Sequence, residues 1–241
     1  MRIKERIKSN FFMDVTKSEN RTRRIVSIDT QSEDGDSHYD VTRVYLKQDT
    51  RKQEDLKYTE TFYFQICTRE EKEEKVVGEL SGHYFDFKSL NKNKKTDSIS
   101  PVINVLSQYD EETFEICQNL CKETNCIRGK GQNIFHLDRF YIQENYRGGG
   151  AGRQILYQFE TQASYLLHHD IRYIALFPDP ITEDLEYDSL YDMDRKERDI
   201  RIQTLKKFYG SLGFKEMKTK PDYMYVDLYH IKERPREKML S

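Results

Sequence analysis

The stretch from Leu137 to Leu156, LDRFYIQENYRGGGAGRQIL, constrains the fold more than any other part of the chain. It continues a run of apolar and β-forming residues that begins at Ile134 and ends at Ile142. Glycines follow at 148, 149, 150 and 152. Directly after them, apolar residues recur with the spacing of one helix face: Ile155, Leu156, Phe159, Ala163, Leu166 and Leu167. The stretch therefore predicts a strand, a glycine turn and a helix.

A helix that begins on glycines presents backbone N–H groups that no side chain shields. These groups have no acceptor within the helix, and the helix dipole favours negative charge beside them. We therefore expect the turn to bind phosphate. A Walker loop is excluded because no Lys follows the last glycine. A dinucleotide fingerprint also fails, since Arg153 or Ile155 occupies the position of its third glycine.

The sequence from Arg147 to Gly152, RGGGAG, resembles the Arg/Gln-x-x-Gly-x-Gly/Ala signature of the GCN5-related N-acetyltransferase (GNAT) family. A second motif of that family, Phe-Tyr-x-x-x-Gly-Phe, is matched by Phe208, Tyr209, Gly213 and Phe214. The two motifs occur in the family's order, with an apolar strand, 171–177, between them. The resemblance covers about 134–228.

This resemblance implies an α/β (α+β) fold, in which a mixed, twisted central sheet is flanked by helices and one parallel strand pair splays apart. In the family, the glycine loop binds the pyrophosphate of acetyl-CoA, and the pantetheine arm enters the gap between the splayed strands. The cofactor-binding residues implied for this chain are Phe140, Tyr141, Ile142, Arg147, Gly148, Gly149, Gly150, Ala151, Gly152 and Arg153.

The reaction implied is acetyl transfer from acetyl-CoA to an amine. An ammonium group cannot attack a thioester, so a base must first remove a proton. His136 and Asp138 alternate on one face of the incoming strand and are candidate bases, with Glu144 in the turn as an outsider. Tyr209 matches the family's acid, which protonates the departing thiolate, although an aromatic residue here could also simply pack. A backbone N–H near 140–142 would stabilise the oxyanion.

An acidic segment follows the strand at 171–177. Seven carboxylates lie between Asp179 and Asp194 without a Lys or Arg among them. Such a segment raises the local concentration of cations, so we expect a small cationic amine as acceptor; the alternative is a solvated insertion. Other functional alternatives are acetylation of a protein Lys or N-terminus, and a non-catalytic acyl-CoA-binding regulatory module.

The chain of 241 residues predicts one domain with an extension. We expect a basic extension at 1–30, the acetyltransferase domain at 31–231 and a polar tail at 232–241. Residues 1–24 hold eight basic and three acidic residues, as in a docking arm or a solvated terminus. The net charge of −2 argues against nucleic-acid binding. A homodimer is left open.

No apolar run is long enough to span a membrane, and the N-terminus lacks the apolar core of a signal peptide. Four Cys in a chain of this length do not form a secreted disulfide framework. We therefore expect a cytoplasmic protein with reduced thiols. No metal is expected either, because Cys117, Cys121, Cys126 and His136 lack the spacing of a zinc site.

Three further elements are predicted. Residues 59–67 and 76–80 form a hairpin, and a helix opens at Asp110 after a polar loop at 89–97. A second helix runs from Arg195 to Leu212 and is capped by Gly213.

Overall fold

The structure is a computed structural model that describes residues 25–27, 44–48, 58–70, 73–92, 106, 110–124, 133–181 and 194–231. Most of the basic extension, Cys126 and the polar tail lie outside the described residues, as does the acidic segment from 182 to 193. Among the described residues, no helix is long and apolar enough to cross a bilayer.

Eight strands form one mixed sheet in the order β1-β2-β3-β4-β5-β6-β8-β7. Among these described strands, only β5 and β6 pair in parallel, and every other neighbouring pair is antiparallel. The strands are β1 Ile25–Ser27, β2 Val44–Gln48, β3 Thr59–Glu70, β4 Glu73–Phe85, β5 Ile134–Ile142, β6 Tyr173–Leu176, β7 Lys215–Glu216 and β8 Met224–Asp227.

The helices are α1 Phe87–Lys92, α2 Glu111–Thr124, α3 Ala151–Leu166, α4 Arg195–Ser211 and α5 Leu228–Ile231. Helix α3 connects β5 to β6, because two parallel neighbours need a crossover that returns the chain to the same edge. The predicted strand, glycine turn and helix are therefore confirmed. So are the hairpin of β3 with β4 and the helix that ends before Gly213.

Two apolar cores cover the two faces of the sheet, because successive side chains of a strand point to opposite sides. On one face, Phe135, Leu137 and Ile174 pack with α3, whose predicted apolar residues are all buried there. On the other face, Ile134 and Tyr173 pack with α1 and α2. The predicted fold, a mixed sheet flanked by helices, is confirmed.

The predicted loop at 89–97 was wrong at its start, where α1 forms. Asp86 caps this helix by accepting a hydrogen bond from the Ser89 N–H at 2.9 Å. Phe87 and Leu90 are buried against the core around α2. A helix of six residues, two of them buried, is stabilised by tertiary packing, which a polar composition conceals.

Candidate active site

The parallel strands β5 and β6 pair at their beginnings and then separate. Their register runs only from Ile134 opposite Tyr173 to His136 opposite Ala175. Strand β6 ends at Leu176, whereas β5 continues to Ile142. From Leu137 onward, the β5 edge that faces β6 has no strand partner in the described part of the chain. The predicted splayed pair is therefore present.

A glycine loop follows the far end of this free edge. After a 3₁₀ turn at Glu144–Tyr146, Gly148 and Gly150 take positive φ angles of 90° and 80°. Gly150 is the N-cap of α3 in the left-handed conformation, which L residues with a side chain adopt at a cost. Apart from the adjacent residues of the chain, a Cβ atom built on Gly148, Gly149 or Gly150 would meet no atom of the described residues within 4 Å. The first turn of α3 therefore opens toward free space, as the predicted phosphate loop requires.

Arg147 joins the loop to the end of β5. Its Nε donates to the carbonyl oxygen of Ile142 at 2.6 Å, and its guanidinium lies 5.3 Å from the Tyr141 ring centroid. The side chain is still 44% exposed, so part of the guanidinium faces solvent beside the glycines. Arg147 thus holds the loop in place, and its guanidinium lies at the rim of the loop, with Nη1 3.7 Å from Glu144 Oε1.

The two sequence motifs meet in space. A Cβ on Gly152 would lie 3.6 Å from the Phe208 ring and 3.7 Å from that of Phe140, so the first turn of α3 contacts the last turns of α4. Tyr209 is buried next to Phe208, at 5.2 Å between ring centroids. Burial raises the pKa of the Tyr209 phenol, which therefore keeps its proton at neutral pH.

Helix α4 ends in a Schellman motif that also uses Tyr209. The Phe214 N–H donates to the Tyr209 carbonyl at 3.1 Å, and the Gly213 N–H donates to Gly210 at 3.0 Å. Gly213 has a φ of 95°, and the Tyr209 and Phe214 rings lie 5.5 Å apart. The packing role of Tyr209 is therefore present, and its acid role stays a prediction.

Strand β5 carries a β-bulge at Asp138. Arg139 pairs with Ser81 and Leu137 pairs with Gly82, so Asp138 has no partner residue on β4. The extra residue shifts the alternation of the strand by one position. Phe140 and Ile142 consequently return to the α3 core, while Asp138 stays on the α2 side with His136.

His136 is fully buried, and its Nδ1 lies 3.1 Å from the Thr113 hydroxyl on α2. Burial, reinforced by His83, lowers the pKa of His136 to about 3, so the ring is neutral. Its Nε2 has no hydrogen-bond partner among the described residues and lies 3.8 Å from Glu112 Oε1. The ring has almost no exposed surface, and the role of His136 as a base stays a prediction.

Asp138 is exposed, but it lies in a recess that contains other carboxylates. Incomplete hydration there raises the pKa of Asp138. The charge of His83 lowers this pKa, and the charge of Asp110 raises it further. We call Asp110, Glu112, Asp138 and Asp179 the carboxylate cluster, because Glu112 interacts electrostatically with each of the other three.

The sequence did not predict Glu112 as a site residue. Partial burial and the charge of Asp138 raise the pKa of Glu112 to about 7. In the sequence it appears only as an acid in the first turn of a helix, which the helix dipole accounts for. Only the packing of α2 against β5 places it at the gap. The described residues contain no group of three side chains that could hold a metal ion.

No protein-family model and no curated protein matches the chain. Solved structures do match. The KacTA–DNA complex is 11% identical, with 72% of this chain and 71% of that chain covered and a TM-score of 0.38. AtaTR bound with acetyl-CoA is 12% identical, covers 72% of this chain and 71% of that one, and has a TM-score of 0.36.

An agmatine N-acetyltransferase variant in its apo form is 10% identical, with 68% of this chain and 75% of that chain covered and a TM-score of 0.32. The last of these proteins is named as an N-acetyltransferase. Identities and TM-scores this low assign neither an activity nor an acceptor to this chain.

Proposed function

We propose that the chain is an acetyl-CoA-dependent N-acetyltransferase that acts on a cationic primary amine. The observation that carries this proposal is the edge of β5 beyond His136, which has no strand partner in the described part of the chain and leads from the carboxylate cluster to the open glycine loop. An unpaired strand edge offers alternating N–H and C=O groups. Those groups complement the two amides of a pantetheine arm, and the N–H groups at the start of α3 complement a diphosphate.

The two ends of the site have opposite chemistry. Arg147 and the α3 N-terminus favour an anion at one end. The carboxylate cluster favours a cation at the other, where β5 and β6 diverge. A thioester held along β5 would place its acyl group between them, next to the bulge at Asp138. This arrangement supports transfer to an amine that arrives as an ammonium ion.

The reaction needs three proton transfers. The ammonium loses one proton to a carboxylate, and the neutral amine nitrogen then attacks the thioester carbonyl. When the tetrahedral intermediate collapses, the C–S bond breaks and the second amine proton is released to water, from which Tyr209 regains the proton that it donates. The thiolate leaves as a thiol after taking a proton, for which the buried, protonated Tyr209 is the proposed donor. The products are an amide, free coenzyme A and one proton released to solvent.

Calorimetric titration with acetyl-CoA tests the cosubstrate site. Gly149 is the best position to change, because its φ is not positive and its Cβ would meet nothing within 4 Å. We expect Gly149→Glu to weaken binding about 10- to 100-fold through repulsion of the diphosphate. The matched neutral variant Gly149→Gln should retain most of the affinity. Equal affinity in Gly149→Glu and the parent would contradict the assignment.

The acceptor is tested by release of free thiol from acetyl-CoA with spermidine, a Lys-containing peptide and a peptide with a free N-terminus. Turnover with spermidine alone would support a small cationic acceptor. Turnover with only a peptide would redirect the proposal to protein acetylation. Acetyl-CoA binding without turnover on any of these amines would favour the acyl-CoA-binding module instead.

A further inference from the structure

The hydrogen bonds around His136 fix which of its nitrogens carries the proton. Hydrogen bonds from Thr113 hold the pKa of Asp110 below its ordinary value in spite of partial burial, so this carboxylate is ionised and can only accept. The Thr113 hydroxyl donates to Asp110 Oδ2 at 2.9 Å. Its oxygen must therefore accept from His136 Nδ1, at 3.1 Å. The neutral ring then carries its proton on Nδ1 and a lone pair on Nε2.

That lone pair points toward a carboxyl group. Nε2 of His136 is buried and lies 3.8 Å from Glu112 Oε1. An ionised Glu112 would face the lone pair with negative charge, whereas a protonated Glu112 could donate a hydrogen bond to it. The histidine therefore favours the protonated form of Glu112. This agrees with the direction in which partial burial and Asp138 shift the pKa of Glu112.

Glu112 is also accessible to solvent, and it lies among groups that, within the described chain, leave it without a positive neighbour. Its side chain is 37% exposed. It faces Asp110, which directly precedes its own helix, His136 and Asp138 from β5, Asp179 from the segment after β6, and Tyr223 from just before β8. Among the described residues, no Lys or Arg forms an ion pair with it. A cationic group in the gap would therefore be the natural counter-charge.

From this geometry we propose that Glu112 is the general base of the acetyl transfer and that His136 is a positioning residue, whose Nε2 accepts a hydrogen bond from the carboxyl O–H of protonated Glu112. The inference rests on the proposed function. In the step, the ammonium N–H bond breaks and its proton moves to Glu112, which becomes a neutral acid. The amine nitrogen keeps the electron pair with which it attacks the thioester. Glu112 then returns the proton to water.

Asp138 has a different part in this scheme. It is the more exposed carboxylate of the pair and lies on the bulge that borders the gap. A cation held by Asp138 would stand next to Glu112, with which Asp138 interacts electrostatically. Asp138 is therefore an ammonium-binding residue, and Glu112 is the residue that takes the proton.

The first test needs no acceptor. In protein labelled with ¹³C at the Glu carboxyl groups, one resonance should titrate with a midpoint near pH 7. This resonance should vanish in Glu112→Gln and persist in Glu111→Gln, the matched control one residue earlier in the same helix turn. In ¹⁵N spectra at pH 7, His136 should be protonated at Nδ1 only. A Glu112 midpoint below pH 5, or an Nε2–H tautomer, would overturn the inference.

The second test uses the pH profile of acetyl transfer to whichever amine of the panel turns over. Glu112→Gln should lose about 10²–10⁴ in kcat/KM. It should also lose the rise in rate near pH 7, while acetyl-CoA affinity stays unchanged. Glu111→Gln should keep both the rate and the profile. A Glu112→Gln rate within threefold of the parent, with the same profile, would sink the assignment of the base.

The positioning role of His136 has its own signature. Thr113→Val removes the hydroxyl that fixes the tautomer, so Nε2 can acquire a proton and donate to ionised Glu112. The midpoint of the pH profile should then move to lower pH, and Thr113→Ser should restore it. A lower rate with an unmoved midpoint would show a structural role only. Failure of the parent to bind acetyl-CoA would instead refute the proposed function itself.

Discussion

At the scale of single residues, Tyr209 combines a packing role with a proposed chemical one. Its ring contacts Phe208 and Phe214 at the end of α4, and its burial keeps the phenol protonated. Tyr209→Phe preserves the ring and removes only the proton. We expect turnover to fall about 10²- to 10⁴-fold with acetyl-CoA affinity and melting temperature nearly unchanged. A rate within twofold of the parent would leave Tyr209 with packing alone.

A second prediction at this scale concerns Glu112 and the dependence of folding stability on pH. Its folded pKa, about 7, is above the ordinary Glu value of 4.5, so the native protein binds more protons than the unfolded chain between these values. Stability must therefore fall as pH rises through this window. Glu112→Gln should remove that contribution, so its melting temperature relative to the parent should be higher at pH 8 than at pH 4.5. Equal differences at both pH values would contradict the raised pKa.

At the scale of elements, the end of α4 depends on one backbone conformation. Gly213 has a φ of 95°, whereas Gly210 lies in the helix with open space around its Cβ position. Gly213→Ala should cost about 1–2 kcal/mol of unfolding free energy. The matched Gly210→Ala should raise the unfolding free energy by about 0.5–1 kcal/mol, because Ala is the better helix residue. Urea denaturation of both variants checks this, and equal effects of the two would argue against the Schellman motif.

Elements also mark the limit of what the sequence could predict. The strand, glycine turn and helix at 134–166 could be predicted because each has a local signal. The strand has β-forming residues, the turn has glycines, and the helix has apolar residues with helical spacing. Helix α1 was missed because its six residues are too few to show a helical period. The bulge at Asp138 and the approach of Glu112 to His136 depend on β4 and α2, and no local pattern encodes such distant pairings. For this reason His136 and Asp138 were predicted as candidate bases, and Glu112 was not.

At the scale of the whole molecule, the sheet separates the glycine loop, the proposed acetyl-CoA site, from the carboxylate cluster, the proposed amine site. Helix α3 and the glycine loop lie with one core, while α2 and the carboxylate cluster lie with the other. Ile116 is fully buried on the α2 side. Ile116→Ala should cost about 2–5 kcal/mol of unfolding free energy. In the protein that remains folded, we expect the KM for the amine to rise and the Kd for acetyl-CoA to stay the same, as measured by steady-state kinetics and calorimetry. A weakened acetyl-CoA affinity instead would show that the two faces are coupled.

The bulge in β5 has a consequence for insertions and deletions. Leu137 and Arg139 pair with Gly82 and Ser81, which are consecutive in β4. A chain that lacked Asp138 could therefore form an uninterrupted ladder, with every later side chain on its present face and Phe140 still in the core. Hydrogen bonding between the two strands gives no reason to retain the extra residue. Its presence would then depend on what its carboxylate does in the gap, and a deletion at 138 could be tolerated by folding while it abolished recognition of the amine.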